Sequence, residues 1–239
     1  GPLSTSERSR VYQSLKGVGG DWPAESELYK AAASHFLQNP HGANFRAAIR
    51  YPSGAQASLL GGSDPANVST WVEISEGSFS IAIDGDAQDI LAMDFSAATN
   101  LDDVALLIQA GLQGINTGGF TAATCHYTGQ RFVISSGTTS AQSTVSSFLT
   151  DAASGTSIVE DLQMGEDTVA SSAPGVAPES IADSLVAIEA YNGGFFGVGF
   201  TKEVRDDYTV GGQDAMVDAA TFAEATGRVF LTVTNDYDN

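Results

Sequence analysis

Positive charge is what this 239-residue sequence has least of. Ten Lys and Arg stand against 29 Asp and Glu, a formal net charge of -19 and a pI of about 4.1. A field of that sign repels phosphate backbones and anionic headgroups, which excludes nucleic acid and membrane surfaces as expected partners. Cysteine is nearly absent: Cys125 stands alone, so no intrachain disulfide can form. No apolar run is long enough to span a bilayer, and no signal peptide is visible. Histidine is limited to His35, His41 and His126. No G-x-S-x-G elbow or Walker sequence occurs, and Gly17-Val18-Gly19-Gly20 lacks a following P-loop lysine. The expectation is a protein with no catalytic, cofactor-binding or metal site, and not an enzyme.

What is present is an interruption. Residues 72–164 hold eleven acids and one base, Arg131, between flanks of different character. Residues 1–71 carry five acids and six bases, and residues 165–239 carry thirteen and three. The division expected is a core in two parts, 5–70 and 166–239, with an inserted outer domain at 71–165. Gly1-Pro2-Leu3-Ser4 matches the scar left by a tag-removing protease, so residues 1–4 are set apart from the fold.

In the first flank, Val11-Tyr12-x-x-Leu15 predicts a helical turn stopped by Gly17, Gly19 and Gly20. Pro23 to Ser26 starts the next helix, with Glu25 and Glu27 near its positive end. Leu28, Ala31, Ala32, His35 and Phe36 form its apolar face, and Asn39-Pro40-His41-Gly42 ends it. Phe45 to Tyr51 predicts a strand. Residues 52–70 and 165–178, rich in Gly, Ser and Pro, read as linkers.

In the insertion, Phe79 to Ile83 alternates as a strand, Asp84-Gly85 signals a hairpin, and Ile90 to Phe95 returns. Thr99 or Asn100 caps a helix with Asp102 and Asp103 in its first turn and a stripe of Leu101, Val104, Ile108, Leu112 and Ile115. Phe120 to Tyr127 and Arg131 to Ser135 are further strands, Thr144 to Thr150 a fifth, and Ile158 to Met164 a short closing helix. In the second flank, Pro178 opens a helix with Ile181, Leu185 and Ile188 inward, closed by Asn192-Gly193-Gly194. Phe195 to Phe200 is a strand. A helix from Gln213 to Thr226 follows, with Met216, Val217, Ala220 and Ala223 inward, then Gly227 and a strand from Val229 to Val233. Helix–strand alternation implies parallel pairing, with Phe45–Tyr51 joining the same sheet. The fold class expected is therefore an α/β core with a mixed, partly parallel sheet, carrying an inserted α+β domain of mostly antiparallel strands and one main helix. A chain stopping just after a core strand suggests a truncated fragment.

Candidate chemistry is thin. Asp84, Asp86 and Asp89 resemble a calcium loop in composition but not in spacing, so a solvated hairpin tip is expected. Pro40 separates His35 from His41, which disfavours a helical zinc pair. Cys125 and His126 are neighbours on a strand and face opposite ways, which leaves a core thiol beside an exposed ring. Ser135 to Ser140 reads as a polar turn. Asn67-Val68-Ser69 fits a glycan acceptor pattern, without any sign of secretion. No Asp/Glu pair can be placed across a cleft.

Several segments resemble one known family. Gly77-Ser78-Phe79-Ser-Ile-Ala-Ile-Asp84-Gly85, then Leu91 to Ser96, then Arg131-Phe132-Val-Ile-Ser135-Ser136-Gly-Thr-Thr resemble contractile-tail sheath proteins of myovirus-type bacteriophages. Tyr29-x-x-Ala32…Phe36-x-Gln38-Asn39-Pro40 and Pro178-Glu179-Ser180-Ile-Ala-Asp183-Ser-Leu185 are similar to that family's core. The resemblance spans about Tyr12 to Thr234. It implies a virion subunit that polymerises with copies of itself into six-fold rings around a tail tube, above a baseplate. It implies assembly in the host cytoplasm and contraction without nucleotide hydrolysis. Terminal arms and a C-terminal domain of the family are not recognised, which predicts a monomer for this fragment. The insertion also resembles modules of flagellar hook-associated proteins, and a sheath of a phage-derived contractile injection device is a further alternative.

Overall fold

A computed structural model describes residues 3, 5, 7–40, 42–192, 194, 197–200, 215–227 and 229–230. It is mixed α/β, with helices and several small sheets. The chain forms two compact units, residues 1–52 with 179–239 and residues 53–178.

The first unit opens with strand β1 (Ser9–Tyr12), helix α1 (Leu15–Asp21), helix α2 (Glu27–Phe36) and strand β2 (Phe45–Ala48). Here the structure corrects two expectations. Val11 and Tyr12 are strand, not helix: β1 pairs antiparallel with β2, Ser9 opposite Ala48 and Tyr12 opposite Phe45. The helix begins only after Ser14, whose hydroxyl accepts from the Gly17 amide. Gly17, Gly19 and Gly20 lie inside α1 and do not stop it. Gly19 permits a close approach of α2, since a Cβ there would sit 3.2 Å from Tyr29 Cε2. Ser26 caps α2 by accepting from the Tyr29 amide. Ala32 is buried as expected, but Ala31 is exposed and Tyr29 packs inward instead. The core gathers Tyr12, Val18, Ala32 and Ala47, and Leu3 packs with them.

The second unit holds strand β3 (Gln56–Leu60), helix α3 (Val68–Trp71), strands β4 (Gly77–Ile83) and β5 (Asp86–Met93), and helix α4 (Leu101–Gly114). Strands β6 (Thr124–Tyr127), β7 (Phe132–Thr139), β8 (Thr156–Ser157) and β9 (Ser171–Ala173) follow. One antiparallel sheet runs β6-β7-β3-β9 and a second runs β5-β4-β8, its β4–β8 pair parallel. Both expected linkers thus contain strand. Residues 56–60 are central in the four-stranded sheet, and 171–173 pair with them, Leu59 opposite Ser172. Ala57 and Leu59 point into the core with no exposure at all, which is what fixes β3 there.

The Asp84-Gly85 hairpin forms as predicted, with φ of 54° and 81°. Those two left-handed values are the ones a tight two-residue turn between twisted strands needs. Asn100, not Thr99, is the N-cap of α4, accepting from the Asp103 amide. Val104, Ala105, Ile108 and Leu112 are its buried face. Each such side chain contributes about 1.5–3 kcal/mol by leaving water, Ala105 less. Trp71 centres the aromatic core, edge-on to Phe95 at 5.0 Å and to Phe132 at 5.8 Å between ring centroids.

Two further expectations fail in this unit. Residues 144–150 bridge β4 only at Val145–Ile83 and Thr150–Ser80, without forming a fifth strand. Residues 158–164 make a single turn, not a helix. Gln163 is left-handed (φ 55°), its amide donates to the Glu160 carbonyl, and the Met164 amide reaches back to Val159 at 3.1 Å. That pair of bonds is a Schellman closure, which ends a helix before it can propagate. Phe120 is likewise in a short 3-10 turn ahead of β6.

The chain then returns to the first unit as helix α5 (Ile181–Asn192), strand β10 (Gly197–Val198), helix α6 (Ala215–Thr226) and strand β11 (Val229–Phe230). Ser180, not Pro178, caps α5, in a reciprocal arrangement with Asp183. Strands β10 and β11 are parallel, as the alternation predicts. Among the described residues β2 does not join them; its partner is β1. On α6 the buried face is Ala219, Phe222 and Ala223, with Val217 and Ala220 outward. The predicted face was displaced because Phe222, the largest apolar side chain of that helix, takes the inward position against Ile181 and Leu185. Gly193, Phe195, Gln213, Arg228, Val233 and the side chain of Met216 lie outside the described residues.

Candidate functional site

The strongest constellation in the first unit was invisible in the sequence. Arg8 and Glu179 are 171 positions apart, yet Arg8 Nη2 donates to the Glu179 carboxylate at 2.8 Å. Both side chains are nine-tenths buried. Glu179 also accepts from the Tyr51 amide at 3.2 Å, and its own amide donates to the Tyr51 carbonyl at 3.0 Å. Arg50 donates twice to the Glu179 carbonyl, at 3.2 and 3.1 Å. The Arg8 guanidinium stands 5.1 Å from the centre of the Tyr51 ring. Burial pushes the Tyr51 phenol up from its ordinary pKa. Two chain segments are thereby clasped at the points where the first unit gives way to the second and resumes. No sequence signal marked this, since neither spacing nor composition links residues so far apart.

A second polar cluster ties β1 to α1. The Tyr12 hydroxyl donates to Asp21 Oδ2 at 2.6 Å, Trp22 Nε1 donates to that hydroxyl at 3.1 Å, and Arg10 Nη1 reaches Asp21 at 2.8 Å. The Tyr12 hydroxyl and the Arg10 guanidinium hold Asp21 below the usual carboxylate range, and Arg10 does the same to Glu7.

In the second unit, the acids of the hairpin diverge. Asp84 accepts from Ser136 Oγ at 3.1 Å, Thr138 Oγ1 at 2.7 Å and the Thr144 amide at 2.9 Å. Asp86 accepts from Gln88 Nε2 at 2.8 Å, and Asp89 from the Ala153 amide at 3.1 Å. Three carboxylates pointing at three sets of donors do not make a cation loop. Among the described residues no group of three or more His, Cys, Asp and Glu could hold a metal ion. Residues 135–139 are strand β7, not a polar turn. Ser136 is fully buried there because Asp84 pairs with its hydroxyl.

The other sequence candidates have structural places. Cys125 is buried, which pushes its thiol well above the ordinary range, while His126 on the opposite face is exposed. His35 lies against Phe36 and Phe45 and hydrogen-bonds the Gly42 carbonyl at 3.1 Å. His41 lies outside the described residues. Asn67 caps α3, its Oδ1 accepting from both the amide and the hydroxyl of Ser69.

The second unit closes on itself. Ala55 and Val176 exchange both backbone hydrogen bonds, at 2.8 and 2.9 Å, so the unit begins and ends on neighbouring residues. Within it lie fourteen acids and one base. The Arg8–Glu179, Tyr12–Asp21 and Asp84–Ser136 clusters each tie separate segments of their own chain together.

No curated protein matches the chain. The family described as "E217 tail sheath protein gp31, insert domain" matches residues 54–176, 123 of 239 positions, which is the second unit from Gly54 to Val176. This favours the sheath resemblance over the flagellar one. By that match the chain belongs to the family of the E217 tail sheath protein gp31 insert domain, and so to the structural proteins of contractile phage tail sheaths.

Proposed function

We propose that this chain is a sheath subunit whose first unit belongs to the polymerising core and whose second unit is the insertion, carried on the outer surface of the tail. The observation that carries the reading is coincidence of limits. The family match covers 54–176, the compact unit covers 53–178, and the Ala55–Val176 bond pair closes the same segment. A domain that starts and finishes at one spot can be hung on a host fold without disturbing it.

In this reading the first unit packs against copies of itself in six-fold rings around the tail tube, above the baseplate, after synthesis in the host cytoplasm. Contraction draws on subunit contacts, with no nucleotide hydrolysed and no cofactor or metal needed. The surplus of acids favours solubility of the subunit before assembly. The insertion's own excess of thirteen negative charges would face solvent, where its repulsion of neighbouring insertions is screened over about 8 Å at physiological salt.

Negative-stain microscopy of the protein expressed from its complete gene tests this. Tubular polymers with a studded outer surface are expected. A product that stays dispersed under all conditions and turns over a small molecule would overturn the reading.

A further inference from the structure

We propose that helix α4 is a latch on an otherwise open sheet edge: Gln109 and Gln113 stand in for a neighbouring strand along β6 and keep β6 from pairing with the same strand of a second copy. The inference concerns the second unit alone and goes beyond the sheath reading, on which it does not depend.

Strand β6 ends the order β6-β7-β3-β9, so among the described residues one side of its backbone has no strand beside it. On that side the Cys125 amide donates to Gln109 Oε1 at 3.3 Å, and Gln113 Nε2 donates to the Ala123 carbonyl at 2.9 Å. The Ala123 amide donates to the Phe120 carbonyl at 3.1 Å. Spacing explains the fit. Four helical residues rise about 6.0 Å and two strand residues about 6.8 Å, so side chains one turn apart reach alternate residues of a strand running the other way. One glutamine accepts and the other donates, as the backbone of a paired strand would. Ala123 and Cys125 are buried at this contact, and both glutamines are half-buried.

The other outer strands of this unit are protected in their own sequence or length. Strands β8 and β9 have two and three residues, and β5 carries Asp86 and Asp89 with a left-handed residue at Ala92. Strand β6 has no such defence: residues 118–130 contain no Lys, Arg, Asp, Glu or Pro. Bare, Thr124-Cys125-His126-Tyr127 is a template for strand addition, and the complementary strand in a solution of this protein is the same one in another copy. Two such edges meeting antiparallel form a two-fold pair that joins two four-stranded sheets.

The test exchanges donor and acceptor in the full chain. Glutamate keeps the acceptor that Gln109 supplies, but at 113 it sets a carboxylate against the Ala123 carbonyl; lysine does the reverse. Expected for Gln113→Glu and Gln109→Lys are about tenfold faster labelling of Cys125 by a thiol reagent and concentration-dependent dimers in sedimentation, with neither in Gln109→Glu and Gln113→Lys. Each Glu pair and each Lys pair has the same net charge, so charge alone cannot produce that pattern. In the unmodified protein, NMR should show the Cys125 amide exchanging as slowly as that of Ile134 in the sheet interior. Equal effects or none at both positions, fast-labelling variants that stay monomeric, or a Cys125 amide exchanging like an unpaired one would each overturn the latch.

Discussion

Arg8 and Glu179 meet at 2.8 Å across 171 residues of sequence, and both are nearly out of water. A pair buried to this degree is costly to break from one side, since the survivor keeps its desolvation penalty. Arg8→Met should therefore destabilise the first unit by about 3 kcal/mol. Amide exchange read by mass spectrometry should accelerate in residues 45–51 and 181–192 and stay unchanged in 77–139. Equal acceleration in both units would contradict the placement of the clasp.

The Asp84 carboxylate plays the matching role in the insertion. Asp84→Ala leaves the buried Ser136 hydroxyl and the Thr138 and Thr144 donors without their acceptor. Urea denaturation should report a loss of about 2–3 kcal/mol. A variant as stable as the parent would show that these bonds are not what holds the hairpin tip.

Backbone strain offers a gain. Ala92 sits at φ 56° beside the irregularity where β4 and β5 shift register. Glycine takes that conformation without penalty, so Ala92→Gly should raise stability by roughly 1 kcal/mol. Gly85→Ala, at φ 81°, should lower it. Thermal melts of the pair check both signs.

Acid should weaken the start of α4. Asp103 is held below its ordinary pKa by the Thr99 hydroxyl and amide. A carboxylate whose folded pKa is depressed contributes stability above its unfolded pKa and loses it as pH falls through the folded one. Asp103→Asn should thus be less stable than the parent at neutral pH, begin to approach it as pH falls below about 4, and meet it only below the depressed pKa of the folded carboxyl. Parallel stability–pH curves for the two proteins would refute the assignment.

Cys125 should be silent to a thiol reagent in the native protein and react at the rate at which the insertion opens. Rapid labelling without denaturant would contradict its burial.

Legibility of the fold followed locality. The β4–β5 hairpin and α4 were readable because each is specified within a few residues: Asp84-Gly85 carries the turn, and Asn100 with Val104, Ile108 and Leu112 carries the helix. Strand β3 was hidden because its flanks are Gly, Ser and Pro, and because its partner β7 lies more than seventy positions away. The turn at 158–164 was misread as helix because Gln163 in a left-handed state has no compositional mark. Ser135–Thr139 looked like a loop for a similar reason: hydroxyl side chains read as solvent-facing until Asp84 is seen to partner Ser136. The Arg8–Glu179 clasp belongs to the same class, a pairing defined only once the chain is folded.

The mutual bonds of Ala55 and Val176 make the insertion modular in an evolutionary sense. Whatever is spliced between those two positions needs only neighbouring ends to be accepted. A lineage could exchange the second unit, or an engineer graft a display cargo there, while the first unit keeps its sequence.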